Sequence, residues 1–374
     1  MVRSLGFVLW LAGCGGLWGK PADPGLSVDQ IAGFIRAGVD DKPAWAAAVR
    51  QGLLDVDRMP NEDHVCQVLA IIEQESSYQA DPPVPNLAEV VEKELNAKVE
   101  EYGFLGKFTA AELLSATPSG QAKSFGERLK EVKTEQDVDR LFREMMDFHQ
   151  QRIPLLAESV DLFAPRLDEK FNPITTAGSM QVSVGFAIEQ GAEEGLDATE
   201  VRDRLYTIQG GVKYGIARLF AHEADYAKPA YRFADYNAGM YSSRNAAFQR
   251  QLATITGREL APDGDLMIWK KPGTPSKTDG ESLVALLVWR ARFAPDLAEV
   301  QLRKDVRLEK TLEFEQTETW RRVRATFKEK QGKDPSYAVL PTVALDSPKL
   351  KQGLSTKWFA ERVEKRYKDC LKRQ

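Results

Sequence analysis

Four short clusters hold residues able to do chemistry, and they occur in a fixed order. They are Glu75-Ser76-Ser77-Tyr78, Gly178-Ser179-Met180-Gln181-Val182, Ile208-x-x-Gly211-x-x-Tyr214 and Tyr236-Asn237-Ala238-Gly239. Each alone also has a plain structural reading. A Glu-Ser pair closes many helices, Met-Gln-Val suits the edge of a core, and Asn-Ala-Gly is a turn that tolerates positive φ. Glu75 stands apart because Ile71 and Val68 lie one and two helical turns before it. Its carboxyl therefore emerges beside apolar surface, which disfavours ionisation. A carboxyl kept protonated near neutral pH can serve as a general acid and then as a base. Glu73, one turn after Leu69, is the competing carboxylate on an overlapping face.

Other chemistries find little support. His64, His149 and His222 occur singly, without the i,i+4 spacing of a helical metal pair. No Gly-rich loop follows a strand pattern, there is no G-x-S-x-G, and the three cysteines form no C-x-x-C pair. The formal net charge of -4 lacks the basic surplus that draws a protein to nucleic acid. The expectation is a protein with no cofactor, no metal and no nucleic-acid partner.

Taken together and in order, the four clusters resemble the lysozyme-like core of the lytic transglycosylases, whose motifs read E-S, G-L-M-Q, N-I-x-x-G-x-x-Y and Y-N-A-G. The resemblance covers residues 61–78 and 175–252. It departs at Ser179, where Leu is usual, at Thr207, where Asn is usual, and in the long separation of the first two motifs. The wider layout is similar to a bacterial lipoprotein family of unknown function. The resemblance implies cleavage of the glycosidic bond between N-acetylmuramic acid and N-acetylglucosamine, with Glu75 as the single acid and base. Ser76, Met180, Gln181, Tyr236 and Asn237 would contact the glycan. An inactive groove that binds glycan or a protein partner is the other function this layout supports.

The elements that must position these residues are mainly helical. Ser27 is a plausible N-cap for a helix through Ile31, Phe34 and Ile35, and Trp45, Val49 and Leu53 form a second apolar stripe. Asn61 caps a helix that carries Val65, Leu69 and Ile72 on one face and runs to about Tyr78, where Pro82-Pro83-x-Pro85 follows. Residues 83–173 read as an inserted helical lobe, with helices over 87–102, 110–115 and 135–152, and offer a possible site for a protein partner. Beyond it come a turn around Gly178, a helix over about 208–226, a turn at 237–239, a helix through Phe248 and Leu252, and an apolar helix over 282–293. Residues 338–345 are the one candidate for extended structure. The expected fold is thus mainly α: a lysozyme-like helical core (27–82 and 174–300) split by a helical insertion and followed by a C-terminal extension (301–374).

The N-terminus suggests an address. Arg3 precedes the apolar run 5–11, too short to span a bilayer, and Leu11-Ala12-Gly13-Cys14 resembles the lipobox of bacterial lipoproteins. That resemblance implies a signal peptide over 1–13, a lipidated Cys14 with a linker to residue 26, and an outer-membrane anchor, the protein facing the periplasm. In such an oxidising compartment Cys66 and Cys370 form one possible disulfide, while Cys66 reads equally as a small apolar residue inside a helix.

Overall fold

Helix caps decide where this chain begins to order. In the computed structural model, which describes residues 25–101, 109–150, 172–271, 274–343 and 355–373, the first helix is Val28–Phe34. Ser27 Oγ accepts from the Gln30 amide while the Gln30 side chain accepts from the Ser27 amide, a reciprocal capping box. The N-terminal 24 residues, with Cys14 and the expected signal peptide, lie outside the described residues.

Among the described residues there are sixteen α-helices and four strands of two or three residues, so the fold is mainly α. Asn61 Oδ1 accepts from the His64 amide at 2.8 Å and starts the helix Glu62–Glu75, whose first-turn acids complement the helix dipole. Its apolar residues pack with those of Val28–Phe34, Lys42–Asp55, Ile208–Leu219 and Pro229–Ala238 in one core. The helix Thr356–Cys370 completes that core. It lies against Glu62–Glu75 and Pro229–Ala238, and a disulfide joins Cys66 to Cys370 across a Cα separation of 5.6 Å. A separate core, built around Phe248, Trp289, Phe314 and Trp320, holds the helices between residues 242 and 331.

Three boundaries differ from those read in the sequence. The acid-bearing helix stops at Glu75 rather than Tyr78, because Ser77 and Tyr78 adopt left-handed backbone with φ of 51° and 66°. The helix expected over 208–226 ends at Leu219, and Pro229, placed where its missing N–H costs nothing, starts another that runs to Ala238. Residues 338–343 form no strand; the Val339 and Thr342 amides instead donate to the carbonyls of Ser243 and Pro262.

The inserted lobe contributes the helices Leu87–Glu101, Ala110–Ser115, Phe125–Leu129 and Glu135–Gln150. It is not a remote decoration. Leu95, Phe125, Phe142 and Met145 share one core with Ile174, Val182, Val184, Leu205 and Tyr214 from beyond the insertion. The lobe therefore leans on the segment that carries the second and third motifs. No helix among the described residues is long and apolar enough to cross a membrane.

Candidate functional site

Glu75 is the last residue of its helix, where the chain turns away through Ser76. The carboxyl is half-buried, and no hydrogen-bond or ion-pair partner engages it among the described residues. Burial raises its pKa from the ordinary 4.5 to about 7; the Arg366 guanidinium opposes that rise and the Glu135 carboxylate adds to it. Glu73, the competing acid, is already engaged. Its carboxylate meets Arg373 at 2.9 Å and Arg366 at 3.9 Å, both on the C-terminal segment.

Gln181 stands in the tight connection between the antiparallel strands Thr176–Ala177 and Val182–Ser183, with a left-handed φ of 49°. Its amide nitrogen donates to Glu135 Oε2 at 2.9 Å, and its carbonyl oxygen accepts from Thr176 Oγ1 at 3.0 Å. A non-glycine residue in this backbone region is disfavoured unless its surroundings hold it there. The turn has a rigid backing. A Cβ on Gly178, at φ 79°, would come within 2.4 Å of the Leu205 carbonyl, and one on Gly211 within 2.9 Å of the Ser179 hydroxyl. The glycine of the third motif thus lets the Ile208–Leu219 helix close on the turn of the second. Thr207 caps that helix, its hydroxyl accepting from the Gly210 amide at 3.0 Å, a task Asn performs equally well.

The fourth motif closes the site from the Pro229–Ala238 helix. The Tyr236 hydroxyl donates to the Met180 carbonyl at 2.8 Å, which fixes the ring beside the Gln181 turn. Burial, then the neighbouring Glu75 carboxylate, push its pKa upward, so the hydroxyl keeps its proton. Asn237 is exposed, and its Oδ1 accepts from the Thr356 hydroxyl at 3.3 Å.

Glu75, Gln181 and Tyr236 therefore belong to one locality, whereas two other expected contacts do not reach it as surface. Met180 is fully buried at 0% exposure beneath the Gly215 backbone, so it supports the turn from behind and cannot line a groove. Ser76 is also buried, its hydroxyl donating to the Ile72 carbonyl within its own helix. The sequence reading missed Glu135. This buried acid opens the lobe's Glu135–Gln150 helix and reaches Gln181 across 46 positions of chain. No spacing rule links residues so far apart, and its only signal was a first-turn position in an amphipathic helix. Arg218, whose charge acts on Tyr236, and Arg366 were also unmarked.

The histidines serve the frame. His149 and His222 are buried against the Leu113 carbonyl and the Asp235 carboxylate, and His64 bonds the Met59 carbonyl. Among the described residues no group of three His, Cys, Asp or Glu side chains is placed to hold a metal ion.

Residues 38–373 match the model of a family described as "Protein of unknown function (DUF1615)". The chain is similar to the "Uncharacterized protein YaiW" of Escherichia coli (strain K12). The two are 33% identical over 375 residues, which span 99% of this chain and 97% of the relative. No solved structure matches it at a significant level.

Proposed function

We propose that this chain, which belongs to the DUF1615 family, is an outer-membrane lipoprotein that cleaves peptidoglycan in the manner of a lytic transglycosylase. Glu75 protonates the glycosidic oxygen between N-acetylmuramic acid and N-acetylglucosamine. The resulting carboxylate then takes the proton of the muramic 6-hydroxyl, whose oxygen closes a 1,6-anhydro ring. One carboxyl does both steps, unlike ordinary glycoside hydrolysis, where a second acid activates water or attacks the sugar. The observation that carries the reading is the state of Glu75: an unengaged, half-buried carboxyl with a pKa of about 7, beside Tyr236 and the Gln181 turn. Such a group both donates and accepts a proton at neutral pH. Glu135 acts as a positioning residue. It holds the Gln181 amide, and its charge helps keep Glu75 protonated. Cys14 carries the lipid that keeps the site at the periplasmic face of the outer membrane, close to its polymeric substrate.

The test is digestion of purified sacculi by the soluble protein lacking residues 1–26, with product masses read by spectrometry. Ends lighter by one water than hydrolytic products support the reading; reducing ends convert it to a hydrolase, with Glu135 as the second acid. A second reading has its own observation. The Gln181 amide and the Tyr236 hydroxyl are both taken up within the protein, which suits a groove that binds glycan or a protein partner without cleaving. Strand binding with no cleavage at any pH would select it.

A further inference from the structure

Among the described residues, four arginines gather beside the acid-bearing helix around the Glu73 carboxylate. Arg373 meets Glu73 at 2.9 Å and also donates to the Phe34 carbonyl at 3.2 Å; Arg366 is 3.9 Å from the same carboxylate. Arg362 and Arg366 both donate through Nε to a single acceptor, the Gln74 amide oxygen, each at 3.1 Å. Arg36 places its guanidinium 6.0 Å from the Tyr78 ring centre, and that of Arg362 lies 5.4 Å from the Trp358 ring. The acids of the C-terminal helix are engaged by lysines instead, Glu361 by Lys357, Glu364 by Lys368 and Asp369 by Lys372. Burial weakens the hold of Arg366 on its proton, the Glu73 carboxylate strengthens it, and the repulsion of Arg362, Arg36 and Arg373 adds to the weakening.

Like charges held this close are unfavourable unless an anion joins them. A guanidinium with unused donors is a planar fork that matches a carboxylate with two parallel hydrogen bonds, a match an ammonium cannot make. The position is informative too, because Arg366 is at once part of this group and the cation acting on Glu75. Whatever anion the arginines take would thus lie against the mouth of the Glu75 site.

We propose that Arg36, Arg362, Arg366 and Arg373 form an anion-binding rim that takes the carboxylates of the peptide stems borne by muramic acid, so that the site engages peptide-bearing strands over stem-free ones. This rests on the Glu75 locality being a glycan site.

Binding, not turnover, tests it. Soluble protein lacking residues 1–26 and carrying Glu75→Gln is titrated with glycan strands bearing intact stems, with strands whose stem carboxylates have been amidated, and with strands stripped of stems. Intact stems should bind at least fivefold more tightly than either other form, about what two or three partly exposed charge pairs supply. Adding Arg36→Gln and Arg362→Gln should erase the difference, while Arg36→Lys with Arg362→Lys should retain part of it. Thermal unfolding of each variant separates lost binding from lost fold. Equal affinity for all three strands, or a preference that survives both glutamines, overturns the rim. The cleavage reading fails by a different sign, intact wild-type binding without product, so the two failures are distinguishable.

Discussion

At the scale of single residues, the two neighbouring acids of the first motif have parted company. Glu73 is bound into the C-terminal arginines, and Glu75 is left as the group able to move a proton. Glu75→Gln should abolish turnover on sacculi, a loss of roughly a hundredfold to ten-thousandfold, as removal of a general acid usually costs. Glu73→Gln should retain turnover and lower thermal stability by about 1 kcal/mol, the ordinary worth of such a pair. The raised pKa also fixes a sign. The Glu75 carboxyl ionises near 4.5 in the unfolded chain and near 7 when folded. The folded state is therefore penalised progressively as pH rises from about 4.5 to about 7, by on the order of 3 kcal/mol in all. Glu75→Gln removes that penalty, so the variant should be more heat-stable than wild type at pH 8 and equal to it near pH 4. Glu135→Gln removes a negative charge from beside Glu75 and should move the alkaline limb of the activity profile to lower pH. A limb that stays in place would show that the lobe's acid does not act on Glu75.

At the scale of elements, the legible parts were those whose signals are local. Ser27 and Asn61 each needed only a side-chain acceptor three residues before a free amide, and the helices Ala110–Ser115 and Ile208–Leu219 start where the sequence places them, each behind a threonine cap. What escaped depended on through-space partners. The left-handed Ser77 and Tyr78 that end the acid helix, the burial of Met180 under Gly215, and the arrival of Glu135 at Gln181 are set by packing between segments far apart in sequence. The lobe shows the consequence. Read from the sequence, residues 83–173 form an insertion whose removal would leave a folded core. The shared apolar cluster argues otherwise, because Val182, Val184, Leu205 and Tyr214 lose their cover when Phe125, Phe142 and Met145 go. Replacing the lobe with a short Gly-Ser loop should expose this surface, broaden or abolish the cooperative unfolding transition and increase binding of an apolar dye. A sharp transition in the shortened protein would mean that the lobe's core is its own.

At the scale of the whole molecule, the C-terminal extension packs on two of the elements that carry the candidate site. It returns across the fold to lay Thr356–Cys370 on the acid-bearing helix, brings the charge of Arg366 to bear on Glu75, pairs Arg373 with Glu73, and meets Asn237 through Thr356. The sequence does not mark the partners of its arginines, because only the fold shows which acids they face. The Cys66–Cys370 bond holds this return in place across a sequence separation of 304. In the chain-entropy model, closing a loop of that length stabilises by more than about 4 kcal/mol, mainly by restricting the unfolded chain. Two consequences separate the bond from the helix contact itself. Denatured, unreduced protein lacking residues 1–26 should expose no alkylatable thiol. Reduction, or Cys66→Ser with Cys370→Ser, should lower the unfolding midpoint sharply. Because the apolar face of the returning helix, with Phe359, Ala360 and Val363, is buried independently of the sulfurs, the reduced protein should still dock it below its lower midpoint. The Glu75 site should then keep its pH profile at low temperature and lose it with the transition. A profile that shifts on reduction while the protein remains folded would mean that the bond, rather than packing, sets the position of Arg366.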